Sequence, residues 1–83
     1  MRKFLIATAM VAALPALAAE VTKDAQLGTT MDEVKASLVD MGYDVRKVKM
    51  EDGEIEAYAV MGDTLSEVFV DPATGQVTRI VAK

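Results

Sequence analysis

The densest cluster of reactive oxygens in this 83-residue chain is the run Glu51-Asp52-Gly53-Glu54-Ile55-Glu56. Glu54 and Glu56, two apart on an extended segment, would share one face. Acid/base work would need such carboxylates to converge in a cleft with separated pKa values. The same oxygens, or those of the Asp71 turn, suit a hard cation such as calcium, although the spaced ligands of a dedicated calcium loop are missing. Met31, Met41, Met50 and Met61 offer thioethers of the kind cuprous ions accept, but methionine at helical spacing is an ordinary core filler. The chain has no Cys, His or Trp, which excludes thiol nucleophiles, disulfides, thiolate or imidazole metal sites and histidine acid/base chemistry. The expectation is a protein that is no enzyme and holds no cofactor or metal. The acidic run then serves as a solvated edge that discourages sheet-to-sheet aggregation.

The first residues read as an address. Met1-Arg2-Lys3 is cationic, Phe4 to Leu14 is apolar apart from Thr8, Pro15 breaks the run, and Ala16-Leu17-Ala18 fits a small-x-small cleavage site. Eleven residues before the proline are too few to span a bilayer, which takes about 20. Residues 1–18 are therefore expected to be a signal peptide, cut after Ala18, with Ala19 as the alternative, and the mature chain to be exported to the periplasm or the medium. Losing Arg2 and Lys3 leaves 7 basic against 13 acidic residues, a net charge of −6. Such a chain is a poor partner for nucleic acid or anionic lipid, and no membrane contact is expected once the tag is gone. A single small domain without disulfides has a stability of only a few kcal/mol, which favours a binding module over a strained catalytic pocket.

Residues 19–28 are polar, lack a clear period and are expected to form a flexible leader. The domain proper is expected over 29–83. Thr30 and Glu33 make a capping box, and Asp32 and Glu33 sit at the positive end of the helix dipole. Met31, Val34, Leu38 and Met41 give one apolar stripe, Lys35, Ser37 and Asp40 face water, and Gly42 closes the helix. From Tyr43 the period shortens. Tyr43 to Met50 is a strand whose alternation slips between Val45 and Val48, predicting a bulge. Glu51-Asp52-Gly53 is a hairpin turn. Ile55 to Val60 alternates, with Ile55, Ala57 and Ala59 opposite Glu56, Tyr58 and Val60. Gly62-Asp63 turns the chain into Leu65 to Val70, with Val68 and Val70 opposite Glu67 and Phe69. Asp71, Pro72 and Gly75 build the sharpest turn, by side-chain acceptance, a preset φ and a positive φ respectively. Gln76 to Ala82 is the fourth strand. Short connections imply an antiparallel meander. The predicted fold class is α+β, with one amphipathic helix packed on one face of a four-stranded antiparallel sheet, in the order α-β-β-β-β.

One helix covers one face, so Tyr58, Val60 and Phe69, rimmed by Glu56 and Glu67, are expected on the uncovered one. Aromatic and apolar residues on a face that normally alternates with polar ones suggest a contact surface for a protein or peptide. Lys47 and Lys49 on the first strand, with Arg79 and Lys83 on the last, read as charges guarding the two edges against strand addition.

Gly42-Tyr43 closing a short helix, a valine-rich strand into Glu51-Asp52-Gly53, then Glu54-Ile55-Glu56-Ala57 and the run Glu67 to Val77 through Asp71-Pro72-Ala73-Thr74-Gly75 together resemble the PepSY domain in its small stand-alone secreted form. The resemblance spans about residues 27 to 81. It implies a helix on an antiparallel sheet and a non-catalytic module of the kind found in propeptides of thermolysin-type peptidases and in secreted or membrane-attached regulators. No catalytic residue comes with it. The expected function is an exported binding module with a protein or peptide partner. The alternatives are an inhibitor or chaperone of a secreted peptidase, and a calcium- or metal-responsive envelope sensor.

Overall fold

The computed structural model describes residues 20–83. The expected signal peptide, with Ala16 and Ala18, lies outside the described residues. Helix α1 spans Met31–Asp40. Thr30 is extended, and its hydroxyl accepts the Glu33 N–H at 3.1 Å. The Glu33 carboxylate answers one residue beyond the usual box and accepts the Thr29 N–H at 2.8 Å. At the other end Gly42, at φ 101°, lets its N–H reach the Val39 carbonyl at 2.9 Å while the Tyr43 N–H reaches Leu38 at 3.0 Å. That pair of bonds is a Schellman stop. It swings Tyr43 into the core instead of starting the strand there.

Strand β1 is Asp44–Glu51, β2 Glu54–Met61, β3 Thr64–Val70 and β4 Val77–Ala82, in one antiparallel sheet of sequential order. The β1–β2 ladder slips between Val45 and Lys47, so Arg46 is the extra residue of the expected bulge. A second slip lies between Phe69 and Val70, which pair with Arg79 and Val77 and leave Thr78 over. In the Asp71 turn the Asp71 side chain accepts the Ala73 N–H at 2.8 Å, and its carbonyl accepts Gly75 N–H at 2.7 Å.

On the helix side of the sheet Ile55, Ala57, Ala59, Val68, Val70 and Val77 are fully buried beneath Val34, Leu38 and Tyr43. Each buried Val, Leu or Ile contributes roughly 1.5–3 kcal/mol. Helix α1 packs over β1 and β2, where Ala57 and Ala59 leave it room to approach. Met31 departs from the expected stripe: it is 42% exposed, at the N-terminal end of the helix.

The stretch expected as a loose leader is built into the domain instead. Val21 and Leu27 are 7% and 5% exposed and belong to the core. Asp24 N–H donates to the Val77 carbonyl and Val77 N–H to Ala25, both at 2.9 Å, and Gln26 bridges Gln76 in antiparallel register. Leu27 N–H donates to the Gly75 carbonyl at 2.8 Å, and the Gln26 amide donates to the Thr74 carbonyl at 2.6 Å. Val21 N–H donates to the Tyr43 hydroxyl at 3.0 Å. Ser37, expected in water, donates its hydroxyl to the Leu27 carbonyl at 2.6 Å. The segment is thus a strap that closes the start of the β4 edge and helps α1 cover the core. Val21 and Leu27, the large aliphatic residues in an otherwise polar run, anchor it on a sheet that is wider than one helix.

Candidate functional site

The sheet face away from α1 is set by the pairing. Lys47 stands across from Tyr58, Lys49 from Glu56, Glu56 from Phe69, Tyr58 from Glu67 and Phe69 from Arg79. Tyr58, Val60, Phe69, Glu56 and Glu67 therefore share this face, as their alternation predicts. They are not equally available. Phe69 is only 6% exposed, because the Arg79 guanidinium lies 3.9 Å from its ring centroid. That stacking is a cation–π cover in which the arginine also shields apolar surface. Phe69 is a capped residue, so exchanging it for a polar one would perturb the fold rather than probe a contact.

The expected acidic rim is also largely spoken for. Glu56 is 4% exposed, with Lys49 Nζ 3.8 Å from its carboxylate. Lys49 is simultaneously 3.1 Å from Glu51, whose hydrogen bond and charge raise the lysine pKa. The Thr78 hydroxyl donates to Glu54 at 2.7 Å, and Lys83 Nζ is 3.1 Å from Glu67. Within the Glu51–Glu56 run the Lys49 ammonium stands beside Glu51 and Glu56, and among the described residues no three acidic side chains are grouped to hold a metal ion. Of the methionines, Met50 and Met61 sit at opposite ends of the β1–β2 hairpin and do not meet.

What stays open is one corner of the face. Tyr58, Val60 and Leu65, with Arg46 and Lys47 beside them, line a shallow hollow of about 630 Å³. Burial, reinforced by the charges of Glu56 and Glu67 and opposed by Lys49, raises the Tyr58 phenol pKa, so the ring carries a neutral hydroxyl. Leu65, Arg46 and Lys47 were not among the expected contact residues. Leu65 opens the third strand one residue into its ladder, and its opposition to Val60 was readable from the hairpin turn at Gly62-Asp63. The Arg46 bulge brings two cations to the border of the hollow, which makes that border basic rather than acidic. A second hollow, of about 250 Å³, lies on the other side of the same strand between α1 and β1. It is lined by Met31, Lys35, Val45 and Val48 together with Arg46, Lys47 and the acid Asp32. A third cavity, of about 290 Å³, sits where the strap enters, among Val21, Tyr43, Met61, Ser66 and Ile80.

No helix of the described residues is long and apolar enough to cross a membrane. No curated protein and no solved structure matches the chain. The sequence does match a family profile, described as peptidase propeptide and YPEB domain, over residues 2–80. That span contains the strap, α1, all but the last residues of β4, and the Asp71 turn whose bonds were given above. A match over nearly the whole length, on a helix-and-meander architecture of the kind the PepSY resemblance implies, makes the assignment direct: the chain belongs to the PepSY family of peptidase propeptide and YPEB domains.

Proposed function

We propose that this chain is an exported PepSY module that acts by holding a protein or peptide partner and performs no reaction of its own. Family membership supports the general part, because PepSY domains are typically propeptide-like and non-catalytic. The observation that carries the specific part is the contrast on the helix-free face. Phe69 is sealed by Arg79, whereas Tyr58, Val60 and Leu65 are left as an apolar hollow beside Lys47. A large, rigid, amphipathic ring such as Tyr58 is the type of side chain that dominates contact energies. The test exchanges Tyr58→Ser and Val60→Ser together. Because both are only half-buried, the fold should persist, while a photocrosslinker placed at Leu65 should lose its adduct in the exporting cell. An undiminished adduct, or a collapse of the fold, would refute the contact role.

A second reading, restraint of an exported peptidase, is favoured by the family's propeptide membership. It predicts that the purified chain slows cleavage by a co-exported peptidase in proportion to its concentration. A module that merely tethers its partner leaves turnover unchanged.

A further inference from the structure

The two hollows beside β1 lie on opposite faces of the sheet and share the bulge residues Arg46 and Lys47. β1 is the outer strand of the sheet, and among the described residues no strand pairs with its free edge. An extended segment that adds to such an edge sends successive side chains to opposite faces. The arrangement has the two receptacles that two consecutive residues of an added strand would need. On the α1 side, Met31, Val45 and Val48 stand next to the edge, with Val45 and Val48 only half-buried and Met31 exposed. On the other side, Tyr58 belongs to the next strand in, so only a long side chain reaches across β1 to it, given the roughly 4.8 Å spacing of strands.

Charge selects the occupant. Lys35 and Lys47 form no ion pair among the described residues, and Arg46 is held by Asp44 at 2.9 Å on the surface. A second copy of this chain would bring its own Lys47 against them, its Arg46 and Lys49 being paired with Asp44 and Glu51, and like charges facing across a ladder repel. We infer that β1 is a strand-addition site for an acidic extended segment of a partner protein, in which a short and a long apolar residue adjacent in sequence enter the Met31/Val48 and Tyr58/Val60 hollows. This rests on the reading of the chain as a binding module, and names the mode and the partner's chemistry.

The probe is a fluorescein-labelled peptide, Glu-Asp-Val-Phe-Asp-Glu, titrated against the folded chain by anisotropy. Wild type should bind it, and moving the phenylalanine one place on, which puts both apolar side chains on one face, should weaken binding about tenfold, as should Met31→Ser and Tyr58→Ser separately. Met31 is exposed at the first position of α1, so its exchange leaves the fold intact, and circular dichroism checks this. Loss on Tyr58→Ser alone would overturn strand addition and leave face docking standing. Absence of binding to wild type, indifference to both variants, loss on Met31→Ser alone, or self-association through β1 in sedimentation would each overturn the inference.

Discussion

Replacing Leu27 by alanine separates a structural strap from a leader. Leu27 is 5% exposed and packs in the same cluster as Val34, Leu38 and Val77. Truncating a buried leucine costs about 2–5 kcal/mol, and a site at the margin of a small core, able to collapse, belongs near 2–3 kcal/mol. The 64 described residues imply a total stability of about 3–10 kcal/mol at ordinary per-residue values. One substitution would thus remove a large share of it. In a domain of this size each kcal/mol moves the melting temperature by about 4–8 °C, so Leu27→Ala should lower it by about 10–20 °C. The assay is thermal circular dichroism of the purified chain, with Lys23→Ala as a control at an exposed strap position, expected to stay within about 0.5 kcal/mol. If Leu27→Ala melts within about 2 °C of wild type, the strap does not pack on the core in solution and does not contribute to the fold.

Two glycines with nearly equal φ make a sharper comparison. Gly53 at 82° has open space where a Cβ would go, whereas at Gly75, at 81°, a Cβ would meet the Gln26 amide and lie 3.2 Å from the Gly28 carbonyl. Gly53→Ala should cost about 1 kcal/mol of backbone strain, and Gly75→Ala at least about 1 kcal/mol more, read by urea denaturation, because the strap must shift. Tyr58 should titrate above an ordinary phenol, since its pKa is raised first by burial and then by Glu56 and Glu67. The unfolded chain then loses the phenolic proton first, so stability falls as pH rises past about 10, and Glu56→Gln should bring the Tyr58 titration, followed by NMR, back toward that value.

Much of this fold is written locally. The Thr30 cap, the Gly42 stop, the slip near Arg46 and the Asp71 turn each rest on residues within five of one another, and the structure realises all four. What escaped local reading depends on partners far along the chain. The strap has no period of its own, and its bonds run from Asp24–Gly28 to Gly75–Val77, some fifty residues away. Strand alternation correctly put Phe69 on the helix-free face but could not tell whether anything covered it. That answer required the register of β4, and the extra residue Thr78 is what sets Arg79 over the ring. The acidic rim escaped for the same reason: Glu56 and Glu67 pair with Lys49 on β1 and with Lys83 just past the end of β4.

A four-stranded meander has two free edges, and this chain treats them differently. The first residues of β4 are closed by the strap, and Lys83 is drawn inward to Glu67. β1 receives no such cover among the described residues. A bare edge is an aggregation risk that proteins manage with bulges and lysines, and β1 has both. These protective devices do not exclude every partner equally. Lys49 is committed to Glu51 and Glu56, which leaves Lys35 and Lys47 as the charges an incoming strand would meet. Positive charge at an edge repels another copy of a basic strand while attracting an acidic one, so the same residues give protection and specificity together. A purely protective edge would need the charges alone. The two hollows on alternate faces of β1, one apolar around Tyr58, Val60 and Leu65 and one in which Met31, Val45 and Val48 sit among charged residues, serve no protective purpose, and they are what strand addition explains.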